Sequence, residues 1–352
     1  SSGRTTTLWS PGSGEMPISG VAGVVDLKCF PGSDEVLAAL ASGACVIWDA
    51  RTGLETGRLE HGHAPQAGLF EAQVFPDGHR VVTIGSDWSA IVWSVATGEV
   101  LQRFNLNGIG RHAAVRVLPA GDQIVTGVSV WPAQPTALWG VEGAVLLRTF
   151  LQAEDSVSFL DVSSCGRKLA TGGWADIFVW DVATGQLEHR FRVQRDIVGG
   201  AALSWGGASI ASFAERLGLL WHGRTGRLLR TDDMDGEIAA MATVDRAGGF
   251  VVFTASNATV IDASSGGRLR TLAGGVPGKP QLVVACRDRG VVAACGNSAR
   301  SSTWARVWDA LSGRLLGETW GIEPGMRRDH VRRDGCSIHI RFHGSMLDAM
   351  LP

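Results

Sequence analysis

HAPQAGLFEAQVFPDGHRVVTIGSDWSAIVWSVATGEVLQRF, residues 63–104, contains one full period of the chain. Phe70 to Phe75 reads as a strand, Pro76-Asp77-Gly78 as a turn and Arg80 to Ile84 as a second strand. Gly85-Ser86-Asp87 is the next turn and Ala90 to Trp93 the third strand; Ala96-Thr97-Gly98 then turns into a fourth, Val100 to Phe104. Pro fixes a backbone angle that starts turns, and Gly supplies the left-handed residue that closes them, so this spacing predicts four short antiparallel strands in one sheet. A lone sheet of this kind cannot cover both of its faces. Stacked radially on like sheets, it buries both and leaves only short edges.

The same punctuation recurs along the chain: an apolar run, a Trp, usually Asp, two variable residues, then Thr or Ser and Gly. It falls at Trp9, Trp48-Asp49, Trp93, Trp139, Trp180-Asp181, Trp221, Ile261-Asp262 and Trp308-Asp309, with successive anchors 39 to 47 residues apart. Composition agrees, since 47 Gly, 12 Pro and 13 Trp, with only 19% charged residues, describe many short apolar segments broken by turns. At 352 residues the chain exceeds the size at which a single core stops growing, so a repeat with a distributed core is expected.

These residues resemble the WD-repeat β-propeller family, and the match runs over nearly the whole chain. The period quoted above carries the family's hydrogen-bonded set as Gly62-His63, Thr83, Asp87 and Trp93; Trp48, Asp49, Trp180, Asp181, Trp308 and Asp309 are the matching signature residues of other blades. The resemblance implies an all-β propeller of four-stranded antiparallel blades in a single domain. Seven blades are read at about 21–60, 61–106, 107–150, 151–192, 193–231, 232–273 and 274–318. The leftover strands at 5–18 and 319–343 are expected to join as an eighth blade that closes the ring, leaving 344–352 as a tail; eight blades are favoured over seven.

A net charge of −2 offers no general attraction for nucleic acid or an anionic membrane, and no apolar run reaches the roughly 18 residues that span a bilayer. Six cysteines with no C-x-x-C spacing read as reduced thiols, which favours an intracellular setting, cytoplasmic or nuclear; the chain opens Ser1-Ser2-Gly3, so an N-terminal signal is not readable from it. No G-x-S-x-G, H-E-x-x-H or phosphate-cradling motif occurs. His339 and His343 flank Arg341 on one strand face, which reads as a polar surface and not as a metal site. No enzyme activity, metal, cofactor or small-molecule substrate is expected. Two alternative readings are a quinoprotein-type propeller oxidoreductase, disfavoured because Trp precedes the Asp of the motif, and phosphate or nucleic-acid binding through Arg327, Arg328, Arg332 and Arg333, disfavoured by Asp329 and Asp334 beside them.

Four tryptophans outside the signature, Trp88, Trp131, Trp174 and Trp304, fall in connections between second and third strands, as does Arg216. Those connections emerge on one face of a propeller, together with the links between blades that hold His112. Trp and Arg are enriched among interface hot spots, so this face is the expected partner surface. What WD-repeat propellers generally do implies a non-catalytic scaffold that binds protein segments or peptides there and assembles a larger complex. If the signature Trp is blade core, Trp93→Ala will cost about 3–5 kcal/mol in denaturant unfolding, far more than a surface Ala control.

Overall fold

The computed structural model describes residues 6–10, 14–18, 24–49, 52, 54–61, 68–106, 110–130, 135–151, 157, 159–173, 176–192, 198–286, 290–297 and 303–321. Blade 2 forms as its sequence predicts: Leu69–Val74, Arg80–Gly85, Ser89–Ser94 and Val100–Asn105 pair in consecutive antiparallel order. Six further sheets of the same order occupy 24–60, 110–150, 159–192, 200–233, 238–271 and 280–321. In blade 2 every residue of the second and third strands except the outermost one is buried, while the fourth strand is mostly wet. Middle strands are therefore covered on both faces, which explains why they read as unbroken apolar runs.

Glycine sets the period. In all seven blades the turn from first to second strand holds a left-handed glycine, Gly32, Gly78, Gly121, Gly166, Gly207, Gly248 or Gly290, with φ between 67° and 75°. An L side chain there would be strained, so the turn chemistry is written into each repeat.

The core lies between blades. Phe30, Ile47 and Leu59 of blade 1 pack with Leu69, Ile91 and Trp93 of blade 2, and Phe104 of blade 2 meets Trp139 of blade 3 at 5.7 Å between ring centroids. The same packing settles the blade number. Ala293, Cys295 and Ala305 of blade 7 pack directly with Leu27, Ala38 and Trp48 of blade 1, and the innermost strands of those two blades touch. The ring thus closes on seven blades, not the eight expected, because blade 7 already covers the face of blade 1 that an eighth blade would need. Thr6–Ser10 and Gly14–Ile18 pair with each other as a separate two-stranded hairpin. The expected C-terminal partner strands, and Arg327, Arg328, Arg332 and Arg333, lie outside the described residues.

Four signature Trp point their indole N–H at the same place in their blades. Trp93, Trp139, Trp180 and Trp221 donate to the hydroxyls of Thr83, Thr126, Thr171 and Ser212 at 2.8–3.0 Å. The acceptor always sits on the second strand, opposite the residue two before the Trp. In blade 7 that position is Ala294, and Trp308 turns to the Ala273 carbonyl of the neighbouring blade instead, at 2.9 Å. In blade 1 it is Ala38, and the buried Trp48 indole N–H has no partner among the described residues. An unsatisfied buried donor costs about 1–3 kcal/mol, so Ala38→Ser, which places a hydroxyl within reach of it, is expected to raise stability by about 1 kcal/mol in a urea titration, with no gain from Ala294→Ser.

Candidate functional site

The face carrying the second-to-third-strand turns is built most firmly in blade 2. His61, 1% exposed, follows the last strand of blade 1, and its ring lies between Thr83 Oγ1, 2.5 Å from Nδ1, and Asp87 Oδ1, 3.0 Å from Nε2. Trp93 Nε1 donates to the same Thr83 oxygen at 2.8 Å. The chain of bonds assigns the tautomer: the indole donates to Thr83, the Thr83 hydroxyl to Nδ1, and Nε2–H to the Asp87 carboxylate. Gly85 makes room for the ring, since a Cβ there would stand 2.6 Å from it. His61 therefore takes the role expected of His63. Both flank Gly62, and the amide of His61, bonded to the Gly43 carbonyl, fixes the chain two residues earlier than the motif alone suggests. His63 lies outside the described residues.

Asp87 also accepts from the Ser89 amide and hydroxyl, and the Trp88 amide bonds the Gly85 carbonyl. The result is a tight turn that holds Trp88 at φ 59°, the left-handed region that bulky residues avoid. Its ring lies half-buried against Phe70, 5.7 Å between centroids. In blade 5 the equivalent turn puts Glu215 at φ 47° and projects Arg216, whose side chain is 61% exposed and pairs with Asp233 at 3.4 Å.

Trp304 is not on this face. The third strand of blade 7 runs from Thr303 to Asp309, so Trp304 lies within the ladder, between Gly296 and Trp320, and is 2% exposed in the core shared with blade 6. The strand is longer than its repeat spacing suggests, and burial of the indole is the reason. His112 lies in the first strand of blade 3, opposite Ser129, instead of in the link before it. Trp131 and Trp174 fall outside the described residues.

Along the axis lies a cavity of about 1010 Å³. Its described mouth opens on the opposite face, at the first-to-second-strand turns, where Pro31, Asp34, Pro76, Pro119, Ser164 and Trp205 line it. Trp205 at this mouth is 64% exposed. The wall is two-sided. Blades 1 to 4 contribute Lys28, Gln73, Arg116 and Asp161, whereas blades 5 to 7 contribute Ala202, Ala242 and Val284.

Behind that wall, carboxylates stitch inner strands together. Asp26 accepts from the Ala72 amide at 3.2 Å, Glu71 from Val115 at 3.0 Å and Asp161 from Leu203 at 2.9 Å, each bond crossing to the next blade. Lys28 pairs with Asp26 at 2.7 Å and Arg116 with Glu71. Burial pushes the Asp26 carboxyl above its ordinary range against the pull of Lys28. At Glu71 burial is outweighed by Arg116 and Lys28, which hold the carboxyl low. These acids are missed by motif reading, although Asp26 and Glu71 stand four residues before Phe30 and Phe75, a matched position that marks them.

Cys29, Cys45, Cys165 and Cys295 are in no disulfide, and no cluster of three metal-ligating side chains occurs, among the described residues. No helix there is long and apolar enough to cross a membrane.

No protein-family model matches the chain. It is 30% identical over 156 residues to the guanine nucleotide-binding protein subunit beta of Arabidopsis thaliana, a match covering 40% of this chain and 39% of that protein. The subunit of the same name from Oryza sativa subsp. japonica is 29% identical over 182 residues, covering 47% of this chain and 46% of that one. The chain thus spans less than half the length of the curated relatives it matches. Among solved structures, the computationally designed Ika8 protein superposes with a TM-score of 0.69 at 20% identity, covering 85% of this chain and 87% of the other, a likeness of fold.

The blade 2 network titrates in one direction. Burial lowers the His61 pKa below its ordinary value near 6.5, against the pull of Asp87; at Asp87 burial is outweighed by His61 and by the Ser89 bonds, which keep the carboxyl ionised to lower pH. A His whose folded pKa is depressed takes up protons more readily unfolded, so its contribution is complete above about pH 6.5 and declines as pH falls below it. The unfolding free energy is therefore expected to drop between pH 7 and pH 5, with a shallower slope in His61→Gln, read from urea titrations at each pH.

Proposed function

Because the chain is a WD-repeat β-propeller, we propose that it serves as a non-catalytic scaffold, binding protein segments or peptides on the face that carries Trp88 and Arg216 and holding them in a larger complex. The observation that carries this reading is the backbone of Trp88. Glycine fills the matching turn position of blade 1 as Gly43, at φ 98°, without strain. Blade 2 instead keeps a large aromatic in a conformation that costs about 1–3 kcal/mol, held there by the His61, Asp87 and Ser89 network. Strain maintained by a buried network holds the indole at a fixed point on the rim, and a face that also exposes Arg216 presents the residue types enriched in interface hot spots.

Trp131 and Trp174 belong to this proposal by their sequence address; Trp304 and His112, which both lie within strand ladders, do not. The relatives are named as subunits, which supports a role within an assembly. These thiols outside any disulfide, two of them buried, favour a reducing and therefore intracellular setting. The reading assigns no cofactor, no small-molecule substrate, no nucleic acid and no membrane.

Trp88→Gly separates folding from binding, since glycine prefers the observed backbone. Its melting temperature is expected to stay within about 5 °C of the parent, the gain in backbone ease offsetting the lost contact with Phe70. Affinity capture from native lysate, with Trp88→Gly and Arg216→Ala run beside the parent, should lose the same partners in both variants. Unchanged partner lists would remove this face from the interaction.

A further inference from the structure

Outside both axial faces, the outer circumference carries a strip that the scaffold reading leaves unused. The fourth strand of blade 3, Val145–Phe150, begins with three successive exposed aliphatic residues, Val145, Leu146 and Leu147, 52, 49 and 47% exposed. A short helical turn, Glu142–Ala144, precedes it and packs on the fourth strand of blade 2, which exposes Val100 and Leu101. The outer strands of blades 1 and 4 break such runs with charge, in Glu55–Glu60 and Leu187–Arg192. Charged residues on an edge strand are the usual protection against pairing, and Val145 to Leu147 lack it.

The ladder bulges here, Trp139 facing Leu146 and Leu138 facing Arg148; a Cβ at Gly140, the partner of Val145, would stand 3.6 Å from Leu147, so Val145 and Leu147 share one face and Leu146 takes the other. No helix laid on one face would cover all three. What they share is the edge, where this strand pairs with Thr136–Gly140 alone among the described residues. Five half-exposed aliphatic side chains offer on the order of 400 Å² of apolar surface, the scale of a bound peptide and about half of what each partner in a standard protein interface buries. That area argues against a second copy of this chain as the occupant. The surroundings are acidic: Glu99, Asp122 and Glu142 are exposed, and none forms an ion pair among the described residues.

We propose that the outer edge of blade 3 binds an extended segment of a partner protein by strand addition, the segment alternating β-branched or aliphatic residues with polar ones and carrying Lys or Arg at the end that lies beside Glu142. Main-chain hydrogen bonds to the free edge supply affinity, Val145, Leu146 and Leu147 take the alternate side chains on both faces, and the acidic surround selects the cation. This goes beyond the scaffold reading, since it uses neither the Trp88 face nor the axial cavity.

The test is selection of a displayed library of nine-residue peptides against the folded chain, with Leu146→Lys as the counter-target. Leu146 is exposed, so that variant should melt with the parent, and Glu142→Lys serves as a second variant outside the ladder. Expected are peptides with period-two apolar residues and a terminal Lys or Arg, weakened at least tenfold by either variant and unaffected by Trp88→Gly. Their binding should slow deuterium exchange of the Val145–Phe150 amides. No enrichment, binding that survives Leu146→Lys, an acidic or helical consensus, or a Leu146-dependent dimer in sedimentation without peptide would overturn the proposal.

Discussion

A four-stranded sheet whose two middle strands are apolar on both faces has no stable existence alone, and this constraint governs everything else in the molecule. Each face must be covered by another sheet, and each covering sheet has the same requirement on its far side. The only way to end the regress is to close it. Blade 7 does so by packing Ala293, Cys295 and Ala305 against Leu27, Ala38 and Trp48 of blade 1. The small side chains at that seam allow close approach, with Ala38, Ala293 and Cys295 all but fully buried. Stability is distributed around the ring, and no single interface can be removed without exposing two faces.

Inside that constraint, hydrogen bonding fixes how the sheets are positioned. The signature indole reaches a hydroxyl on the second strand of its own blade, which sets register within the sheet. The inner carboxylates Asp26, Glu71 and Asp161 reach amides of the following blade, which sets one sheet against the next around the axis. A buried carboxylate is tolerable there because each is bonded to a peptide N–H, and two are further paired with Lys28 or Arg116. Where the repeat loses its hydroxyl the price differs by context: Trp308 finds a carbonyl across the blade boundary, while Trp48 finds no acceptor among the described residues.

What could be read from sequence follows from the range of each interaction. Glycines and signature tryptophans are placed by local turn chemistry, so blades, strand order, the turn residue Asp87 and the strand residue Thr83 are visible in one repeat. Blade number is a property of closure. The terminal strands carry the same local pattern as any other, and nothing in them shows that blade 1 is already covered. That His61 reaches Thr83 depends on where the preceding strand ends, which is set by pairing with Gly43 and is not visible in the Gly62-His63 motif. Trp304 was placed in a turn by spacing, but the ladder of blade 7 extends to Asn297 opposite Thr303 and takes the Trp into the core. Motif reading passed over the inner acids because they make no signature, only a matched position.

The departures from the repeat also show where function can reside. Positions that every blade fills alike are committed to folding: the left-handed turn glycine, the buried second and third strands, the outer strand wet along most of its length. A position can be spent on something else only where one blade differs without a packing reason. Trp88 replaces an easy glycine, Lys28 and Arg116 put basic charge on the axial wall where blades 5 to 7 have Ala202, Ala242 and Val284, and Val145 to Leu147 expose three successive aliphatic residues at an outer edge. Each departure carries a cost in strain, desolvation or exposed apolar surface that the fold does not require, so each is better explained by an interaction outside the chain than by one within it.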